Sequence, residues 1–230
     1  MAIARARRRR RVGRPPGPAP DPTRRRDELL DAAVRAISRL GPDVSMDDLA
    51  AEAGLSKPIL YANFGDKAGL AAALAERYLG DLVPAVLAAF QQPSDPKRMV
   101  RAAIDPFIGF VEREPSVYRF LVRGVAGAGA SFIEQRLVSE LGLRIAQVLR
   151  TGLRAAGSDT GPAELWSFAI LGTVLAGAEW WQARPSMSRS DVVDYLTELV
   201  WGGLSTGGID RLEATDVLDT AGRGTDSDGG

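Results

Sequence analysis

The 230-residue chain contains no cysteine and no histidine. Without cysteine there is no disulfide framework and no thiolate chemistry, and the composition fits a reducing cytoplasm. Without histidine the commonest general base and the commonest metal ligand are missing together, which counts against hydrolase triads and zinc sites. Carboxylates remain as catalytic groups, but there is no G-x-x-x-x-G-K-[ST] loop, and the glycines of GVAGAG follow no visible strand. The chain is therefore read as a non-enzyme that needs no cofactor and no metal. Long apolar runs are scarce too. The longest, around LWSFAILGTVLAGA, lies between Glu164 and Glu179 and falls short of the roughly 20 residues that span a bilayer. At the N-terminus RVGRPPGPAPDP stands where a secretory signal would need its apolar stretch. A soluble, cytoplasmic chain without a membrane partner is expected.

What is present is enough to fold. With 45% apolar and 25% charged residues, the chain can bury one sizeable core or two smaller ones sharing a seam. Its net charge is zero but unevenly spread. Residues 1–30 hold ten arginines (Arg5, Arg7 to Arg11, Arg14 and Arg24 to Arg26) against Asp21, Asp27 and Glu28, a balance of +7, so residues 31–230 sum to −7. A basic arm on an acidic body points to a polyanion, either nucleic acid or an anionic membrane. Residues 1–22 are arginines followed by prolines and glycines with almost nothing to bury, and are expected to be disordered until bound.

Beyond the arm the periodicity turns helical. Leu30, Ala33, Val34, Ile37 and Leu40 share one helix face and Gly41-Pro42 stops it, which predicts a first helix over about 24–40. Ser45 and Asp48 form a weakened capping box for a second helix over about 46–53, with Gly54 at its C′ position. Ser56 is placed to cap a third helix over about 57–63, with Pro58 in its first turn. Two short helices joined by a tight glycine turn match the helix-turn-helix unit, whose second helix enters the major groove of DNA by its N-terminal residues. Leu49, Ala50, Ala53, Leu55, Leu60 and Phe64 are the expected small core. Ser56, Lys57, Pro58, Ile59, Tyr61 and Asn63 are left for the outward face.

The segment from Thr23 to Leu79, with its turn glycine, SK start, LYxxF core and GDK tripeptide in register, resembles the DNA-binding domain of the TetR family of bacterial transcription regulators. The resemblance implies phosphate contacts at Ser45, Tyr61 and Lys67, and groove-floor contacts at Lys57 and Pro58. Many members carry His where Asn63 stands; Asn is expected to keep a phosphate hydrogen bond and to lose any titration. Each residue also has a plainer reading. Ser56 and Asp66 serve as helix caps whatever else they do, Tyr61 fits a core rim, and a lone lysine such as Lys57 is commonly a solvated charge. Gly13-Arg14-Pro15 resembles arms that enter the minor groove, so Arg11 and Arg14 join the DNA-contacting set. A solubility tail, a membrane-surface anchor or an early start codon are the other accounts of the arm.

Residues 68–207 read as a larger helical domain. Helix four begins with Asp66 as N-cap, and Pro84 is expected to kink or end it. Further helices follow between breaks at QQPSDP, GAGASF and AAGSDTGP, including one over about 131–155 with Leu137, Leu141, Ile145, Val148 and Leu149. Residues 162–183 are apolar around most of their circumference, and residues 190–204 place Val192, Leu196 and Leu199 on a face ending at Trp201. They form either a monomer core or, as the resemblance implies, a four-helix interface between two copies. Residues 208–230 read as a disordered tail. The expected fold is all-α: an N-terminal helix-turn-helix domain over 23–67 ahead of a ligand-binding and dimerisation domain. The resemblance also implies a small-molecule cavity, for which the aromatic candidates are Phe107, Phe110, Tyr118, Phe120, Trp166 and Trp180; residues of this kind are more often plain core than ligand contacts, because pockets and cores share the same lining chemistry. Few charged residues neighbour them, which favours a small apolar or weakly polar effector. The expected function is a ligand-responsive repressor that binds a pseudo-palindromic double-stranded operator as a homodimer. A helical protein–protein interaction module without specific DNA binding is the alternative.

Overall fold

The computed structural model describes residues 22–91, 95–123 and 132–206. The expected arm up to residue 21, with Arg11 and Arg14, the GVAGAG glycines and the expected tail lie outside them; Pro22, expected as the last residue of the arm, belongs to the first helix. Among the described residues every regular element is an α-helix: α1 (Pro22–Leu40), α2 (Met46–Glu52), α3 (Lys57–Phe64), α4 (Lys67–Ala88), α5 (Pro96–Arg113), α6 (Pro115–Arg123), α7 (Phe132–Ala155), α8 (Ala163–Ala183) and α9 (Arg189–Thr206). None of them is long and apolar enough to cross a membrane.

The first three helices stand close to their predicted bounds, because their ends are set by local chemistry. Leu30, Ala33 and Ile37 bury the expected face of α1, together with Leu29 and Ala36. Leu40, expected on that face, is 48% exposed in the last turn, where it lines an open groove with Val44 and Ala51. Gly41 then reverses the chain at φ +93°. Ser45 Oγ accepts from the Asp48 amide at 3.1 Å and donates to the Asp48 carboxylate at 2.5 Å, a variant of the capping box that satisfies one orphan amide of α2. At the other end the Gly54 amide donates to Ala51 O and the Leu55 amide to Ala50 O, with Gly54 at φ +64°. This is the paired-bond helix stop that needs a left-handed residue. Ser56 occupies the N-cap position of α3, but its side chain makes no capping bond, so the cap expected of its hydroxyl is corrected.

Two features set the joint between α3 and α4. Gly65 has φ 76° and ψ −72°, and the Asp66 amide donates to Phe64 O at 3.0 Å, a γ-turn of the strained sense that glycine tolerates. Asp66 Oδ1 then accepts from the Gly69 amide at 2.8 Å and caps α4. α4 runs through Pro84 to Ala88, so Pro84 does not end it. Arginines brace α1 against its neighbours: Arg39 pairs with Glu52 of α2 and Arg77 of α4 with Asp31. Arg26 Nη1 donates to Asn63 O at 3.1 Å, and its guanidinium lies 5.1 Å from the centre of the Phe64 ring.

In the larger part α7 packs on α8, α9 on α5, and α4 against both α5 and α7. A ladder of Lys97–Glu198, Arg101–Asp194 and Arg189–Asp105, at 2.6 to 2.7 Å, runs along α5 and α9 in opposite residue order and fixes them antiparallel. Arg189 passes so close over α5 that a Cβ on Gly109 would meet its guanidinium at 2.7 Å. Val192, Val193, Leu196, Thr197 and Val200 form the inward face of α9. The expected grouping of Leu199 with Val192 and Leu196 is corrected: Leu196 is 9% exposed and packs on Gly177, whereas Leu199 is 64% exposed. The helix turns its inward stripe toward Val193 and Val200, which carries Tyr195 and Leu199 to the outside.

Candidate nucleic-acid interface and effector cavity

The exposed face of α3 begins at its N-terminus. Ser56, Lys57, Pro58 and Tyr61 are exposed, Tyr61 by 44%, and Ile59 and Asn63 are half-buried, while Leu60 and Phe64 point into the core beside Leu49 and Ala50. Ala53 and Leu55, expected in that core, are only half-buried at its edge. The helix thus divides as its spacing predicts, since residues three and four apart share a side. Lys57 Nζ donates to Asp47 Oδ2 of α2 at 2.5 Å. That bond holds the lysine above its ordinary pKa, so it stays an ammonium. Asn63 Nδ2 donates to Ile59 O at 2.8 Å and so spends a donor within its own helix. Lys67, in the first turn of α4, sits 5.2 Å from the centre of the Phe120 ring, a cation–π contact that joins the first domain to α6. Ser45 is engaged with Asp48 as described.

α4 then carries the chain from this face to an interior cavity. The cavity measures about 80 Å³ and is lined by Leu82 and Val86 of α4 and by Phe90 in the turn after it, with further walls from α5, α7, α8 and α9. Phe107 is one of its lining residues; all the others are aliphatic apart from Phe90, and none is charged or polar. The other aromatic candidates lie elsewhere. Phe110, Tyr118 and Phe120 are buried core residues. Phe110 lies 4.8 Å from Tyr78, tilted by 43°, and meets Tyr118 edge-on at 6.3 Å. Burial pushes the Tyr78 hydroxyl up to about 12, with the Glu114 carboxylate adding to it. Trp166 lines an outer groove between α8 and α9 with Leu199, and Trp180 is 43% exposed. Sequence reasoning missed the aliphatic lining, because leucine and valine of a cavity wall have the same spacing as those of a filled core.

One outer face of α8 and α9 remains apolar. Leu165, Tyr195 and Leu199 are exposed there, Phe168 is 38% exposed with its ring over Gly142 of α7, and Gly172 and Ala176 continue the exposed stripe of α8. This explains why α8 reads as apolar around its circumference: one side packs on α7 and the other lies open.

Residues 29–74 match the model of bacterial regulatory proteins of the tetR family, and residues 85–217 match that of the tetracyclin repressor-like C-terminal domain. An HTH-type transcriptional regulator of Mycobacterium tuberculosis (strain H37Rv) is 35% identical, over 78% of this chain and 77% of its own. The HTH-type transcriptional activator FasR of Mycolicibacterium smegmatis is 28% identical, over 79% and 83%. Among solved structures, a TetR-like transcriptional regulator from Rhodococcus sp. RHA1 is 29% identical, with a TM-score of 0.56 over 79% of this chain and 96% of that one. Two family models that together span the helix-turn-helix and the helical body leave one assignment: the chain belongs to the TetR family of DNA-binding transcription regulators.

Proposed function

We propose that the chain is a ligand-responsive repressor that binds a pseudo-palindromic operator as a homodimer and is released by a small apolar effector. The observation that carries this reading is a single helix, α4, with the exposed α3 at one end and an entirely apolar cavity along its far half. From Lys67 to Leu82 is 15 helical steps, about 22 Å at 1.5 Å each. A ligand that widens the cavity displaces α4, and α3 moves with it through the short Gly65 turn. An 80 Å³ space is smaller than the roughly 150 Å³ apolar cavity that holds benzene. Ligand entry therefore requires the surrounding helices to give way, which supplies the coupling. Such walls offer no counter-charge and no hydrogen bond, so a buried ionised group has no compensation there.

The open apolar face of α8 and α9 supports the dimer. Two copies joined through it form a four-helix seam, and a two-fold seam presents two α3 helices to two half-sites. The arm, with Arg11 and Arg14, supplies the phosphate and minor-groove contacts that the acidic reader itself provides sparingly. Ser45, Ser56, Tyr61, Asn63 and Lys67 are proposed as its backbone-contacting and positioning partners, with Lys57 and Pro58 at the base edges. Activation is the second reading, favoured by the relative named as an activator. The test is to map the binding sites of the full chain across its genome, then to measure affinity for a recovered site with and without neutral apolar compounds acted on by the neighbouring gene products. Release by such a compound, with reporter expression rising, supports the repressor. Tighter binding with rising expression supports the activator. Failure to recover any enriched site favours an interaction module instead.

A further inference from the structure

Residues 43–67 hold α2, α3 and their turns, and contain two cations, Lys57 and Lys67, against five acids, Asp43, Asp47, Asp48, Glu52 and Asp66. That is an odd balance for a surface meant to approach a polyanion. Three of the acids have structural work: Asp48 is bonded to Ser45, Asp66 caps α4, and Glu52 pairs with Arg39. Asp47 differs. Its side chain is more than half exposed, and its recorded partner is Lys57 Nζ at 2.5 Å, across the turn at the start of the recognition helix.

The position of that carboxylate decides what Lys57 can accept as a ligand. A phosphate approaching the ammonium must also approach Asp47, bringing two anions together or displacing the carboxylate, and either costs much of what the contact would return. A base edge carries no charge and meets no such penalty. An ammonium has three donors. One is held by Asp47, and two remain for acceptors lying side by side. Guanine O6 and N7 offer that pair in the major groove, and the N4 amino group of the paired cytosine is a donor that a carboxylate oxygen accepts. The flexible lysine stem, which by itself would sample phosphates as readily as bases, is tethered by the same bond.

We propose that Asp47 is a specificity-determining residue: together with Lys57 it forms a two-residue reader of a G·C pair in each half-site, and it withholds the lysine ammonium from phosphates. This rests on the reading of α3 as the groove-entering helix. The Asp47 carboxylate acts on DNA from α2, a helix that otherwise only supports α3.

The experiment is binding-site selection from random duplexes with the full chain and its Asp47→Asn and Lys57→Ala variants, followed by affinity for the selected site and for random DNA. Helicity and unfolding midpoint serve as the check that each variant is folded, which the exposure of both side chains favours. Wild type should select a G·C pair at one position per half-site. Asp47→Asn should lose that preference and bind random DNA more tightly. A good base contact is worth from about fivefold to 150-fold in discrimination, and a loss on that scale is expected. If Lys57→Ala abolishes the preference while Asp47→Asn leaves it intact, with affinity unchanged or raised equally on all sequences, the role of Asp47 is overturned and the α3 reading stands. If both variants keep the wild-type preference and affinity, the α3 reading itself falls.

Discussion

Tyr61 and Lys57 lie four residues apart on the exposed face of α3, yet they predict different losses. With Tyr61 as the proposed phosphate contact, removing its hydroxyl in Tyr61→Phe should lower affinity by roughly 1 to 3 kcal/mol on every sequence alike. Lys57→Ala should blur base preference as well. Titrations of Tyr61→Phe against the selected site and a scrambled one check the first statement; a loss confined to the selected site would contradict it. Tyr78 makes a prediction in pH. Its hydroxyl is raised to about 12 by burial and by Glu114, above the ordinary tyrosine value near 10. The folded state therefore holds this proton more tightly than the unfolded state does. The resulting stability is fully present below pH 10 and is lost as pH rises through about 12. Unfolding of wild type and Tyr78→Phe compared across pH 9 to 12 should show the shallower decline in the variant.

At the scale of elements, the glycines of the α3–α4 joint carry the sharpest expectation. A Cβ on Gly69 would lie 1.8 Å from the Phe64 carbonyl oxygen, a distance that no side-chain rotation relieves. Gly69→Ala must move backbone, tilting α3 against α4, with a cost on the order of 1–3 kcal/mol as in other overpacked sites. Operator affinity and the unfolding midpoint should both fall while the oligomeric state is kept. Wild-type values for both would show that the joint is not set here. The same joint marks what could be read in advance. Ser45, Gly54 and Asp66 were legible because a cap acts within three or four residues of itself. Gly69 was not, since its contact depends on how the Gly65 turn folds α4 back. Pro84 lies inside α4, where the packing of Leu82, Val83 and Val86 carries on a helix that propensity would end. The cavity was legible only through Phe107, because its walls come from five helices that no local pattern brings together.

For the whole molecule, the outward turn of Leu199 decides where the dimer seam can be tested. Leu196→Glu would bury a charge inside one chain and unfold it. Leu199→Glu places the charge on the open face, and should give folded monomers that lose operator binding. A variant that sediments as a dimer would remove this face from the seam. The arm adds a second expectation. Residues 1–14 hold seven arginines, while residues 15–67 hold seven basic residues against nine acidic ones. Each phosphate neutralised adds about −0.9 to the slope of log K against log salt, so deleting residues 2–14 should flatten that slope by several units per dimer. Preference in the major groove should survive the deletion, and preference for flanking A·T pairs should fade. An unchanged slope would make the arm a bystander. The central claim is that paired α3 helices read DNA sequence, and selection from random duplexes by the wild-type full chain tests it most directly. The account predicts an enriched inverted repeat with half-site centres about one helical turn, roughly 34–36 Å, or a multiple of it apart. Recovery of no enriched sequence, or of a single unrepeated motif, would contradict it.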